Sequence, residues 1–446
     1  MPRTLLFLLL LATLACKPQG AHPNEPKAAA SQIYDENDYQ DSGLDSARLH
    51  DKVLGFLLGS AIGDAMGAPT EMWWRKDISE HYGYVDTLDL LMREPSPEGP
   101  WGRNLPPGAG TDDTRWKALT IEFLLAQGFP VGQAPQLSAA QFADYITQRY
   151  RRSLEELKTT AGLDPEPYEV HIMHFTWLQE WVRITRAYSS GDLDAYRDAL
   201  SRFYGGEMAC AGMLYAPAVG AFYPGRPKVA YAQMYELALF DLGYARDISA
   251  LTAALTAQAF DPGFRLDSLK KTLITVDPEG FFDARLLSRI AYQQFAKAES
   301  IVRAARKLGP EDLAAHSELL ELPAAYPYDS LHYLQTLKAY ELLAAAEQDV
   351  PFHAGEIHLI NLTALLFSDL DFSRALEFVV NFGRDNDTVA AVTGAILGAY
   401  HGAAALPREQ SALVLQTNRE VLNLDLEQLA KAMTEAILKR RANHQH

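Results

Sequence analysis

The sequence has little cysteine and hardly any stretch that alternates polar and apolar residues as a β-strand does. Cys16 and Cys210 are the only cysteines among 446 residues, so no intramolecular disulfide framework is available if Cys16 is lipidated. Cys210 is expected to be a small buried residue. No long run of lysine and arginine interleaved with aromatics occurs, and the net charge is −17. Because nucleic-acid binding needs basic grooves that meet phosphate, we expect no nucleic-acid partner.

Histidine spacings typical of zinc sites are also missing. His171 and His174 lie at helical i,i+3 spacing and have no cysteine nearby in the sequence. His353 and His358 do not form an HExxH motif. Both pairs are therefore interpreted as surface or core histidines, and no zinc centre is expected.

The N-terminus has the layout of a bacterial export signal. Residues 1–16 carry Arg3, an apolar run from Leu5 to Ala12, and Cys16, which resembles a lipoprotein signal. The run is too short to span a bilayer. Residues 17–44 are polar and without period, as in a flexible tether. We expect an exported protein, periplasmic or anchored to the outer membrane through lipid; simple secretion or an uncleaved start are the alternatives.

The remaining chain, residues 45–446, is predicted to form a single large all-α domain with many helices. Apolar residues recur at spacings of three and four, for example over 50–66, 112–126, 230–242, 282–307 and 388–402. One long irregular segment runs from Arg93 to Gly110. Such segments are often functional, so it is interpreted either as a lid or wall of a pocket or as a surface excursion.

Two of the predicted helices have a face with almost no side chains. Gly55, Gly59, Gly63 and Gly67 recur every four residues. A second row occurs near the C-terminus and comprises Ala391, Gly394, Ala395, Gly398 and Gly402. Glycine inside a helix costs about 1 kcal/mol against alanine, so close packing must explain these rows. We expect the two helices to pack on each other.

Carboxylates gather where these helices and one other begin or end. The acidic positions are Asp64, Glu71, Asp112, Asp113, Asp385 and Asp387. Asp387 is expected to be an N-cap, with Thr388 opening the helix. Close carboxylate pairs repel by about 4 kcal/mol at an effective dielectric near 20, so their gathering implies a cation or shared protons. Oxygen ligands favour magnesium, calcium or manganese.

Three motifs taken together resemble the ADP-ribosylglycohydrolase family, which includes the dinitrogenase-reductase-activating glycohydrolases. They are GSAIGDAMGAPTE, GTDDT and GRDNDTVAAVTGAILGAYHG, in family order between about residues 50 and 405. The resemblance implies an all-α fold and a centre of two Mg²⁺ ions, with Mn²⁺ as an alternative. It implies hydrolysis of the bond between C1″ of the distal ribose of ADP-ribose and an acceptor.

Site residues are carried over from the resemblance position by position. The implied metal ligands are Thr111, Asp112, Asp113, Asp385, Asp387 and Thr388, and Glu71 corresponds to the glutamate beside the metals. Glu71 or a metal-held aspartate such as Asp113 is expected to take the proton from water. Asp64 is expected to cap a helix or support the ligands.

The middle of the chain departs from the family pattern. Where many members have an asparagine- and glycine-rich phosphate segment, this chain has Cys210 to Pro217. The backbone amides of Ala211, Gly212 and Met213 are the expected phosphate donors. Candidate platforms for adenine are Trp73, Trp74, Trp101 and Tyr223.

The expected partner is therefore an ADP-ribosylated protein or a small-molecule conjugate linked through arginine, serine or a nucleobase. A monomer is favoured. The alternative is a non-catalytic ADP-ribose-binding or structural member of the same fold. A third hypothesis, an isoprenoid-type synthase, is rejected because no third acidic residue follows Asp112 and Asp113 at the required spacing.

Overall fold

The fold is built from α-helices joined by short 3₁₀ turns. A computed structural model describes residues 43–89, 91, 105–128, 137–160, 176–206, 208–284, 286–316 and 321–444. Within these ranges no strand forms, and backbone pairing outside helices is limited to isolated bridges. The predicted all-α fold is confirmed. The predicted export signal at residues 1–16 and nearly all of the predicted tether lie outside the described residues.

Eighteen α-helices occur in the described ranges. They are α1 Ser46–Gly67, α2 Arg75–Tyr82, α3 Asp112–Ala126, α4 Ala139–Thr160, α5 Gln179–Ser189, α6 Leu193–Arg202, α7 Ala216–Ala221, α8 Pro227–Leu237, α9 Tyr244–Ala259, α10 Leu266–Thr275, α11 Ile290–Arg306, α12 Pro310–His316, α13 Ser330–Ala344, α14 Ala354–Phe367, α15 Phe372–Phe382, α16 Asn386–His401, α17 Arg408–Leu422 and α18 Leu426–His444.

Helices α1 and α16 form the centre of the fold and pack on each other more extensively than any other described pair. Their glycine faces meet: a methyl group at Gly63 would overlap the backbone of Ala390, and one at Gly59 would overlap the carbonyl of Gly394. The predicted contact is therefore confirmed. Such an approach is open only to residues without a Cβ, which explains glycine at these helical positions.

Helix α1 also has the length and composition of a membrane span. The stretch Ser46–Thr70 passes that test, but 89% of its most apolar window is buried inside the fold. Every residue of α1 from Gly55 to Gly67 is buried. A helix that is hydrophobic all round is what the centre of a large globular core requires.

Several predicted helix boundaries differ from the structure. The helix expected over 282–307 begins at Ile290, because the carboxylate of Asp277 accepts the amides of Phe281 and Phe282, both at 2.8 Å, and holds a turn there. Pro227 opens α8, which ends at Leu237 and not at residue 242. Helix α16 begins at Asn386, before the predicted Thr388.

The irregular segment from Arg93 to Gly110 is described only from residue 105 onward, and Leu91 lies just before it. Leu91 and Leu105 pair through reciprocal backbone hydrogen bonds of 3.0 and 3.1 Å. The following residues, Pro107 and Gly108, accept hydrogen bonds from Thr417 and Asn418 of α17. Residues 92–104 lie outside the described residues, so the role of the segment as a lid or wall of a pocket or as a surface excursion stays a prediction.

Candidate metal centre

The predicted acidic positions lie where the end of α1 meets the starts of α3 and α16. At this point Gly67 packs directly on the backbone of Asp387, so closely that a methyl group could not fit. The segment after α1 is fixed to the segment before α16 by two hydrogen bonds. Met72 donates its amide to the carbonyl of Arg384 at 2.7 Å, and Arg384 donates to Trp73 at 2.8 Å. This pairing places Glu71 beside the acidic turn of α16.

The turn before α16 is held by a buried ion pair. Arg384 has a positive φ of 67°, which is uncommon for a residue with a side chain. Its guanidinium contacts both carboxylate oxygens of Glu356 at 2.7 and 3.0 Å and the carbonyl of Gln348 at 2.9 Å. These contacts fix the unusual backbone conformation. Arg384 therefore positions the acidic turn while its own charge is taken up by Glu356.

Three carboxylates converge at the centre. Oxygen atoms of Glu71, Asp385 and Asp387 all lie within 4.8 Å of one another. Asp385 and Asp387 are buried, whereas Glu71 is only partly buried and lies at the edge of the group. We call these three residues the acidic trio. A hard divalent cation accepts oxygen ligands at such a spacing.

Asp387 is not the N-cap that the sequence predicted. It lies in the first turn of α16, where its carboxylate accepts the amide of Thr388 at 2.9 Å. The cap position belongs to Asp385, whose side chain makes no capping hydrogen bond. Both carboxylates nonetheless lie at the positive end of the helix dipole, which favours their charged forms.

Asp64 caps α3 from the end of α1, as expected for it. Its carboxylate accepts the amide and hydroxyl of Thr111 at 2.9 and 2.7 Å, and those of Thr114 at 3.0 and 2.5 Å. Four donors leave little of this carboxylate for a metal ion. Asp64 instead fixes where Thr111 and the residues after it lie relative to α1.

Asp113 connects α3 to α16. One of its carboxylate oxygens accepts the hydroxyl of Thr388 at 2.9 Å. The other lies 3.3 Å from the ammonium of Lys117, one turn further along α3. Asp112 is partly exposed beside it. The structure thus gathers all the predicted metal ligands and Glu71 at the same helix ends.

Burial sets the electrostatics of the cluster. It raises the pKa of Asp387 well above its ordinary value, and the carboxylates of Glu71 and Asp385 add to the effect. Burial also raises the pKa of Asp385 to about 6 and that of Asp113 well above the usual range, although Lys117 opposes the latter. A cation among these oxygens would reverse the shifts, since it favours the charged forms.

The predicted phosphate segment lies against this cluster, but its amides have partners inside the protein. The amide of Gly212 donates to buried Asp241 at 3.0 Å, and that of Met213 donates to the carbonyl of Cys210 at 2.7 Å. Gly212 packs so closely on Asp241 that a side chain would overlap it. These two amides are therefore not available to a phosphate in this structure, which differs from the expected cradle. Ala211, which precedes them, is also buried.

The candidate stacking residues have different environments. Trp74 is 55% exposed, and its ring lies 5.1 Å from the guanidinium of Arg384 next to the acidic turn. Trp73 is partly buried and packs on the core. Tyr223 is 2% exposed and belongs to the core, and Trp101 lies outside the described residues. Among the three of these residues that the structure describes, Trp74 is thus the one with an exposed ring beside the site.

Sequence reasoning missed two side chains at the centre. Lys117 lies at helical i,i+4 spacing from Asp113, a pattern that could have identified it. Cys210 places its sulfur 3.7 Å from a carboxylate oxygen of Asp385, a contact with no local sequence signal. The histidines behave as expected where they are described, since His353 and His358 are both buried.

Comparison with known proteins identifies the family of this chain. The sequence profile of a family described as ADP-ribosylglycohydrolase matches residues 45–443, nearly the whole predicted domain. The chain belongs to the ADP-ribosylglycohydrolase family. Two curated relatives match over short segments. One is ADP-ribosyl-[dinitrogen reductase] glycohydrolase of Rhodospirillum rubrum, 36% identical over 80 residues, which are 18% of this chain and 24% of the relative.

The second relative is the uncharacterized protein YegU of Escherichia coli strain K12. It is 47% identical over 36 residues, which are 8% of this chain and 11% of that protein. The matches thus span less than a quarter of either relative's length. Among solved structures, one described as an ADP-ribosylglycohydrolase-related protein complex aligns with a TM-score of 0.50 and 20% identity. It covers 87% of this chain and 99% of its own, which supports the shared fold.

Proposed function

We propose that this protein hydrolyses the bond between C1″ of the distal ribose of ADP-ribose and an acceptor, with magnesium as its metal. Family membership supports the glycohydrolase class. The observation that carries the metal-dependent part is the acidic trio, whose oxygen atoms lie within 4.8 Å of one another. The substrate is an ADP-ribosylated protein side chain or small-molecule conjugate.

The donor set fits a hard divalent cation. Carboxylates of the acidic trio would hold it. The side chain of Thr388 hydrogen-bonds Asp385, and the carboxylate of Asp112 acts on Asp385 electrostatically. Oxygen-only ligands suit magnesium or manganese and give little affinity for softer metals. When bound, the cation would supply a Lewis acid for the ribose hydroxyls of the substrate.

The residues of the chain supply the rest of the reaction. Glycoside cleavage passes through an oxocarbenium-like state, and the buried carboxylates Asp385 and Asp387 stabilise the positive charge that develops on the ribose. Glu71 is our choice for the base that takes a proton from water, because it is partly exposed at the edge of the trio. Asp113 suits this role less well, since both of its oxygens already have partners.

The exposed ring of Trp74 offers a surface for the adenine. It lies on the segment that pairs with Arg384, and therefore next to the carboxylates that would contact the ribose. Stacking on an aromatic ring adds about 1–3 kcal/mol per base in nucleic-acid binding proteins. The substitution Trp74→Ala should therefore raise KM for the ADP-ribosylated substrate more than it lowers kcat.

The test is release of free ADP-ribose from arginine-linked and serine-linked peptides, first with magnesium and then with excess chelator. We expect release that the chelator abolishes and that added magnesium restores. Glu71→Gln should lower kcat strongly, whereas Glu80→Gln, an exposed glutamate on α2, serves as the matched control. If neither peptide releases ADP-ribose while the protein still binds ADP-ribose tightly, the proposed hydrolysis is refuted and a binding function is favoured.

Export remains part of the proposal. The signal-like residues 1–16 and Cys16 support a periplasmic or outer-membrane-anchored lipoprotein. Membrane fractionation of cells that produce the intact protein, compared with a Cys16→Ser variant, tests this. Recovery of the wild-type protein only from the cytosol would exclude export.

A further inference from the structure

A buried lysine lies inside the proposed metal centre. Lys117 belongs to α3, and its side chain is 1% exposed. Its ammonium lies 3.3 Å from a carboxylate oxygen of Asp113 and 3.1 Å from the carbonyl oxygen of the same residue. A lysine is almost never fully buried unless its charge is paired. The ammonium is therefore a fixed positive charge at Asp113.

Asp113 differs in this respect from the acidic trio. Its second carboxylate oxygen accepts the hydroxyl of Thr388 at 2.9 Å, so both oxygens have protein partners. The trio instead collects three carboxylates, which repel one another unless a cation lies among them. Asp113 thus has a cationic side chain of the protein beside it, whereas the acidic trio has three carboxylates close together.

We propose that the ammonium of Lys117 takes the place of one of the two divalent ions that the family resemblance implies. The centre then holds a single divalent ion, at the acidic trio. This inference rests on the metal centre of the proposed function, but it concerns the number of ions and not the reaction.

The physical reason is competition for one carboxylate. A divalent ion that binds the Asp113 oxygen facing Lys117 would have to replace the ammonium at that oxygen. Two positive charges in contact repel, and a side chain this buried has no route by which its charge could turn to water. The ammonium also supplies the charge compensation that Asp113 needs, so a second ion gains little there.

The experiment is metal counting on the whole chain with Mn²⁺ as the probe. The metal-stripped protein is titrated with MnCl₂, and bound ions per chain are measured by equilibrium dialysis and by the EPR signal of free Mn²⁺. The wild type should bind one ion, without the spin coupling that neighbouring Mn²⁺ ions produce. Lys117→Met should bind two ions and show that coupling, whereas Lys117→Arg, which keeps the charge, should still bind one.

A matched control is available in α1. Lys52 is also buried, and it donates to the carbonyls of Ala259, Ala399 and Tyr400 at 2.8–3.2 Å. These acceptors include no member of the acidic cluster. Lys52→Met should therefore leave the ion count at one, which separates loss of the Lys117 charge from loss of any buried lysine.

The wild-type count decides the inference even if Lys117→Met does not fold. Two ions in the wild type would overturn it and leave the proposed function standing. One ion in both the wild type and a folded Lys117→Met variant would also overturn it. No bound ion, with hydrolysis that resists chelator, would instead refute the metal dependence in the proposed function.

Discussion

A methyl group at Gly67 should reduce activity more than stability. The last residue of α1 packs on the start of α16, and an ideal Cβ at Gly67 would lie 2.5 Å from the backbone nitrogen of Asp387, where ordinary contacts begin at 3.4 Å. The backbone of Asp387 must therefore move by about 1 Å in Gly67→Ala. Displacing a reacting group by about 1 Å can cost a factor of about 100 in rate.

The stability change in the same variant should be small. Overpacking costs about 1–3 kcal/mol, and the better helix propensity of alanine offsets up to about 1 kcal/mol of this. The predicted result is a modest fall in Tm together with a roughly hundredfold lower kcat/KM for ADP-ribose release. Metal affinity should fall too, because Asp387 belongs to the acidic trio.

Gly59→Ala provides the comparison. Its Cβ would overlap the carbonyl of Gly394. Gly59 precedes Gly67 by eight residues, so this overlap lies about 12 Å along α1 from the end of the helix that packs on Asp387. It should lower Tm while kcat/KM of the folded enzyme stays near the wild-type value. Gly355→Ala, whose Cβ would meet the ring of His353 at 3.3 Å and the side-chain amide nitrogen of Gln294 at 3.7 Å but no backbone atom among its nearest contacts, should change neither. Wild-type activity in Gly67→Ala, or an equal loss in Gly59→Ala, would refute the reasoning.

Three further predictions concern single side chains. Asp387→Asn should abolish both turnover and the rise in Tm that magnesium causes, with an unchanged circular dichroism spectrum; if either survives, Asp387 is not a ligand. Asp64→Asn should lower the free energy of unfolding in urea by about 1–3 kcal/mol, because an amide cannot accept all four donors from Thr111 and Thr114; a change below about 0.5 kcal/mol would contradict the capping role. Burial lowers the pKa of His358 to about 3, so below pH 6.5 the unfolded chain binds a proton at this residue and the folded protein does not. The free energy of unfolding should therefore fall by about 1.4 kcal/mol per pH unit toward pH 3. His358→Phe should flatten this pH dependence in urea titrations, and equal pH slopes of the free energy of unfolding in the wild type and the variant would contradict the prediction.

The central helix pair could be predicted from the sequence because glycine spacing leaves few arrangements. Rows such as Gly59 with Gly63 and Gly394 with Gly398 have no side chain to pack, so only another backbone can fill the space. The start of α11 could not be predicted in this way. Its apolar period continues through residues 282–289, but the carboxylate of Asp277 captures two amides there and turns the chain.

The acidic positions could also be predicted, whereas their surroundings could not. Asp113 and Asp387 occur in short motifs with helix-start chemistry, which a sequence displays directly. The hydrogen bonds that join Met72 and Trp73 to Arg384 cross more than 300 residues of chain. The hydrogen bond from Gly212 to Asp241 depends on the tertiary fold in the same way. The sequence therefore does not show that an amide predicted to bind phosphate already donates to a buried carboxylate.

The most direct test of the metal-dependent site is anomalous diffraction from crystals grown with Mn²⁺ and ADP-ribose. We expect a manganese peak in contact with Glu71, Asp385 and Asp387, with the distal ribose of ADP-ribose beside it. No peak at the acidic trio in crystals of an active preparation, or ADP-ribose bound away from the ends of α1, α3 and α16, would contradict it.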